Sequence, residues 1–181
     1  DAEVGVAYSF DFTVGGFPVP ALTLIAGALP PGLSLTGAQL SGTPTASGLF
    51  SGITVSASNG VGTSATVTFA IDVREGPAIT SSDMATFEVG SASSFLVTAS
   101  GRPAPTVSSS GALPTGLVFD GTAPGGATLS GTPQAGAGGV YTLALLAANG
   151  FGSDAMQTLT VTVNEAPSLS GVPTDGAVNA G

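Results

Sequence analysis

The run Leu40-Ser41-Gly42-Thr43-Pro44 returns as Leu129-Ser130-Gly131-Thr132-Pro133, eighty-nine positions later. Other pieces recur in the same order around it. Gly27-Ala28-Leu29-Pro30 returns as Gly111-Ala112-Leu113-Pro114, and Ala57-Ser58-Asn59-Gly60-Val61-Gly62 as Ala147-Ala148-Asn149-Gly150-Phe151-Gly152. A period of about ninety residues is the size of a domain rather than of a solenoid turn, so each copy must bury its own core. The spacing divides the chain into a first repeat at 1–75, a second at 76–165, and the opening strand of a third at 166–181. The first copy is expected to lack the opening strand that the second carries at Ala78-Ile79-Thr80. The chain therefore reads as an excerpt of a longer array.

Within each copy the apolar residues alternate with polar ones. Tyr8, Phe10, Phe12 and Val14 are separated by Ser9, Asp11 and Thr13, the period of a strand with one buried face. Phe95, Val97 and Ala99 take those places in the second copy. Leu22 to Ala26 reads as a short strand. Ile53, Val55 and Ala57 face Ala65, Val67, Phe69, Ile71 and Val73 across Asn59-Gly60, a hairpin signal. Tyr141, Leu143, Leu145 and Ala147 face Leu159, Val161 and Val163 in the same way. Leu29-Pro30-Pro31-Gly32-Leu33 reads as a type II turn with Gly32 at the position that needs a positive φ. Thr115 replaces Pro31 in the second copy while Gly116 keeps the glycine, so the glycine is the stronger requirement. No window carries helical periodicity with start and stop signals, and 28 Gly with 13 Pro argue against long helices. The expected fold class is all-β, with tandem antiparallel β-sandwiches in an extended rod. The junctions Val73-Arg74-Glu75-Gly76-Pro77 and Val163-Asn164-Glu165-Ala166-Pro167 pass from last strand to first with little slack, and proline stiffens them.

Much chemistry is excluded by what the chain lacks. It has no Cys, so no disulfide and no thiolate metal site. It has no His, the usual general base, and no Lys; Arg74 and Arg102 are the only basic side chains. A net charge of −9 argues against nucleic acid and anionic membranes, and no apolar run is long enough for a membrane span. The glycine-rich stretches lack the lysine and the strand-to-helix setting of a phosphate loop. Asp11 and Asp72 lie within strands, where the alternation points both to solvent. No loop implies a pocket, so no catalytic residue and no enzyme activity are expected.

The second copy carries Gly139-Val140-Tyr141-Thr142 ahead of the Asn149-Gly150 turn. This resembles the last hairpin of immunoglobulin-like domains, where a tyrosine makes the tyrosine corner. With the LPxGL and LSGTP runs, the pattern resembles the bacterial immunoglobulin-like (putative-Ig) tandem repeat domains of surface, secreted or virion proteins, over nearly the whole chain. Two departures stand out. There is no cysteine pair and no tryptophan. In the first copy Ser51 stands in the position of Tyr141 with Phe50 beside it, so that corner is built differently there. The resemblance implies a non-catalytic spacer or stalk in a long extracellular or virion fibre. The alternative is an adhesin, or a carbohydrate-binding accessory module, with a surface glycan or host receptor as partner.

Two sets of residues are candidates for a site. Calcium binds at the domain junctions of cadherin-like rods through carboxylates and carbonyls. Here Asp72 and Glu75 flank one junction, and Glu165 and Asp175 the next, without a dense acidic motif; solvated single carboxylates, and no cofactor, are the expectation. Phe17, Phe50 and Phe151 are expected on loops, where exposed rings would form a sugar-binding platform and buried rings would plug the core. The partners expected are neighbouring repeats, either in the same chain or head to tail, with residues 166–181 of one molecule donated to the first domain of the next.

Overall fold

The computed structural model describes residues 1–169. Fourteen strands and no helix are found among them. They are β1 (Ala2–Glu3), β2 (Tyr8–Asp11), β3 (Ala21–Ala26), β4 (Leu33–Thr36), β5 (Gln39–Gly42), β6 (Gly48–Ser58), β7 (Ala65–Ile79), β8 (Met84–Glu88), β9 (Ser93–Arg102), β10 (Thr106–Ser110), β11 (Leu117–Asp120), β12 (Gly126–Gly131), β13 (Gly139–Ala148) and β14 (Ala155–Asn164). In the first repeat the sheet β2-β5-β4 faces β1, β7, β6 and β3. In the second, β11-β12-β9 faces β10-β13-β14-β8. All pairings are antiparallel except β1 with β7 and β8 with β14.

Each sandwich closes over its own core, as the domain-sized period requires. Leu33, Leu40, Ile53, Ile71 and Val73 form the first, with residues from both sheets. Val97, Leu129, Leu143, Leu145, Leu159 and Val161 lead the second, which is the larger. The inward set in β13 and β14 is the one the alternation marks, because period two puts every second side chain on one face.

The two recurring motifs are partners of each other. Leu33 N donates to Pro30 O at 3.0 Å, which closes the turn around Gly32, and Thr43 N donates to Gly32 O at 3.1 Å. Leu117 N to Pro114 O and Thr132 N to Gly116 O repeat both bonds at the same lengths. Gly32 and Gly116 have φ of 90° and 96°. A Cβ at either would run into the carbonyl of Thr43 or Thr132, so glycine is needed for space as well as for dihedral.

The tyrosine corner is present: Tyr141 Oη donates to Ala137 O at 3.0 Å. The pairing corrects the expected match in the first repeat. Gly48 and Gly139 oppose Val73 and Val163, and Phe50 and Tyr141 oppose Ile71 and Val161. Phe50, not Ser51, therefore holds the place of Tyr141. A bulge between Phe50 and Ile53 takes up the extra residue that sequence spacing could not locate.

A second correction concerns β2. It ends at Asp11, and Phe10 on its expected buried face is 49% exposed. The corresponding strand β9 runs on to Arg102 because the end of β7 pairs with it. Past Asp11 the first repeat has no such neighbour among the described residues.

Candidate functional site

Strand β7 is fifteen residues long and belongs to both repeats. Its first part is the last strand of the first sandwich, paired with β6 from Gly48–Val73 to Ala57–Ala65. After a bulge its end pairs with β9 of the second, with Glu75 opposite Arg102 and Ile79 opposite Ala99. The division expected after Glu75 thus falls inside a strand.

This continuity brings the chain's two cations together. Asp72 and Arg74 are two residues apart and share a face of β7. Arg102 reaches the same face from β9. Asp72 Oδ2 lies 2.9 Å from Arg74 Nη2, and its Oδ1 accepts from Arg102 Nε at 2.8 Å. Arg74 also approaches Asp1 at 3.6 Å and stands 5.2 Å from the centroid of the Phe151 ring, a cation–π distance. Arg74 Nε is buried with no hydrogen-bond partner.

An asparagine clamps the other side of the junction. Asn149 Nδ2 donates to Glu75 O at 2.7 Å and to Pro103 O at 2.9 Å, while its Oδ1 accepts from Phe151 N at 3.1 Å. The amide therefore ties the last hairpin of the second repeat to the incoming strand and to the bend after β9. Close backbone approach is part of this design. A Cβ on Gly76 would lie 3.1 Å from Phe151 O, and one on Gly101 would lie 2.9 Å from Asn149 Nδ2.

The calcium candidates do not assemble. Asp72 is not simply solvated, as the alternation implied: its side chain is 21% exposed and is held by two guanidinium groups. Glu75 Oε2 accepts from Ser47 Oγ at 2.6 Å. Glu165 accepts from Gly136 N at 2.7 Å and Gly138 N at 3.0 Å. Asp175 lies outside the described residues. No three acidic or other metal-binding side chains gather among the described residues. A divalent ion at Asp72 would sit beside two positive charges, so this donor set does not suit one. Asp120, at the end of β11, has its carboxyl held below the usual aspartate value by hydrogen bonds from Thr122, and stands apart from the junction.

The aromatic candidates are also dispersed. Phe17 is on the loop before β3 and 93% exposed. Phe50 is not on a loop; it lies in β6 and packs on the first core. Phe151 is on a loop, half-buried beneath Arg74. Sequence reasoning missed Arg74, Arg102 and Asn149. The presence of only two basic residues, each near a repeat boundary, was the available signal.

Two β-sandwiches in tandem, joined by a shared strand and each with the immunoglobulin strand order, define a tandem immunoglobulin-like protein. The family described as "Putative Ig domain" matches residues 1–74 and 76–164, and the chain belongs to it. No curated protein matches the chain. Among solved structures, a titin fragment matches 91% of this chain and 94% of its own at a TM-score of 0.54 and 18% identity. The insect immune protein hemolin matches 91% of this chain at a TM-score of 0.53 and 18% identity. An endo-fucoidan hydrolase of glycoside hydrolase family 107 matches 92% of this chain at 19% identity, with a TM-score of only 0.41. This chain spans 44% of the hemolin chain and 27% of the hydrolase.

Proposed function

We propose that this chain is a non-catalytic spacer, a stiff segment of a stalk built from immunoglobulin-like repeats in a long extracellular, cell-surface or virion protein. The supporting observation is the junction: one strand runs through both sandwiches, and Asp72, Arg74, Arg102 and Asn149 tie the repeats side to side. A hinge between mobile domains is usually a flexible exposed linker that few contacts cross. This junction has the opposite character. Its neighbours in the array, on this reading, are further repeats, and the family's occurrence in surface and secreted proteins suits the location. The alternative as an adhesin or glycan-binding module rested on a platform of Phe17, Phe50 and Phe151, and those rings lie on separate features.

The test uses the absence of native cysteine. Ser34→Cys and Ser108→Cys place a spin label on an exposed position of each repeat. Pulsed distance measurement should give one narrow distribution, and a Gly-Gly-Ser insertion between Glu75 and Gly76 should broaden it. A distribution in the unmodified chain as broad as in the insertion variant overturns the stiff-spacer reading.

A further inference from the structure

The second repeat fills with its own chain a groove that is open in the first. Ala78 and Ile79 pair with Ser100 and Ala99 of β9, and β8 then runs beside β14 from Met84 opposite Thr160 to Glu88 opposite Asn164. The segment crosses from one sheet edge to the other. Ala85 and Phe87 are buried beneath it, and Ile79 packs on the same core. In the first repeat only Ala2 and Glu3 occupy this path, opposite Val73 and Arg74, in the places of Phe87 and Glu88. Nothing among the described residues lies where Ala78 to Thr86 would run.

The floor of that path is exposed and aromatic. Phe12 and Phe69 are half-buried where Val97 and Leu159 of the second repeat are 0% exposed. Phe10 is 49% and Val67 48% exposed. The Phe10 and Phe12 rings meet edge to face at 5.0 Å, and Phe12 lies 5.7 Å from Phe69. Two adjoining apolar depressions, one around Phe12, Val14 and Val67 and one around Tyr8, Phe10 and Phe69, follow the line of the missing strand. On either side stand backbone edges, residues 13–16 and Ala70 to Asp72, whose counterparts in β9 and β14 are hydrogen-bonded to the second repeat's own segment. An apolar floor between two unpaired strand edges is complementary to an extended polypeptide rather than to a sugar or a compact ligand.

We propose that this groove is a strand-acceptor site for the opening segment of another repeat of this kind, of the pattern Pro-small-branched apolar seen in Pro77-Ala78-Ile79 and in Pro167-Ser168-Leu169. The incoming segment pairs with residues 13–16, sets its branched side chain over Phe12 and Val14, and crosses to the edge of β7. Its register is the one that Ile79 and Ala99 display in the second repeat. The inference goes beyond the spacer reading and does not depend on it, since a groove can accept a strand whether or not the junction is stiff.

The test is a capped peptide with the sequence of residues 76–85, titrated into the whole chain labelled for NMR. Binding should be saturable with a Kd below about 1 mM. The shifts should concentrate at Val14, Val67 and Phe69. The same peptide with Ile79→Asp should bind at least about tenfold more weakly, because it would set a charge on an apolar floor. As the substitution is in the peptide, folding of the protein is not at issue. Shifts absent at millimolar peptide, shifts confined to the second repeat, or equal binding of the Ile79→Asp peptide would each overturn the proposal.

Discussion

Arg102 of the second repeat donates from Nε to Oδ1 of Asp72, in the last strand of the first, at 2.8 Å. The bond crosses the boundary between two domains, and Asp72 also holds Arg74 on its other oxygen. The groups are partly exposed, with side-chain accessibilities of 21% for Asp72 and 39% for Arg102, so solvent screens the pair. A double-mutant cycle with Asp72→Ala and Arg102→Ala should return a coupling of about 0.5–1 kcal/mol in thermal unfolding at low salt. The coupling should shrink in 1 M salt. A coupling of zero at low salt would mean that the contact does not tie the repeats together.

Tyr141→Phe removes only the hydroxyl that donates to Ala137 O. The loss should destabilise the second repeat by about 1 kcal/mol, the net worth of one hydrogen bond, with the first repeat unaffected. Domain-resolved hydrogen exchange separates the two effects. Equal loss of protection in both repeats would contradict it.

Leu145→Asp should unfold the second repeat. Leu145 is 1% exposed at the centre of β13, among Leu143, Leu159 and Val161. An unpaired carboxylate there has no partner and no cross-link to resist it. The penalty should rival a domain's whole stability of about 5–15 kcal/mol. Circular dichroism and tryptic digestion would show it, and a folded variant would mean that the inward register of β13 is wrong.

Chelator should leave the melting curve unchanged. Asp72 is neutralised by arginine, Glu75 holds Ser47, and Glu165 holds two backbone amides. A drop of several degrees with EDTA, restored by calcium, would show that ion binding to the native state contributes stability after all.

The strands and the repeat were legible in the sequence because their causes are local. Alternation fixes which face of β13 and β14 is buried, and glycine at 32 and 116 follows from the dihedral the turn requires. Even the tyrosine corner could be read, since Tyr141 and Ala137 are four residues apart. Other features depend on residues brought together from far along the chain. That the LPxGL turn is bonded to the SGTP corner follows from pairing of β4 with β5, which spacing alone does not specify. Phe50 rather than Ser51 matches Tyr141 because a bulge absorbs one residue, and a bulge leaves no reliable mark on an ungapped alignment. Phe10 lies on a correctly identified apolar face yet is half exposed, because burial depends on what covers a face as well as on its pattern. The meeting of both arginines on Asp72 needed the shared strand β7, whose pairing with β9 sets residue 102 beside residue 75 in space.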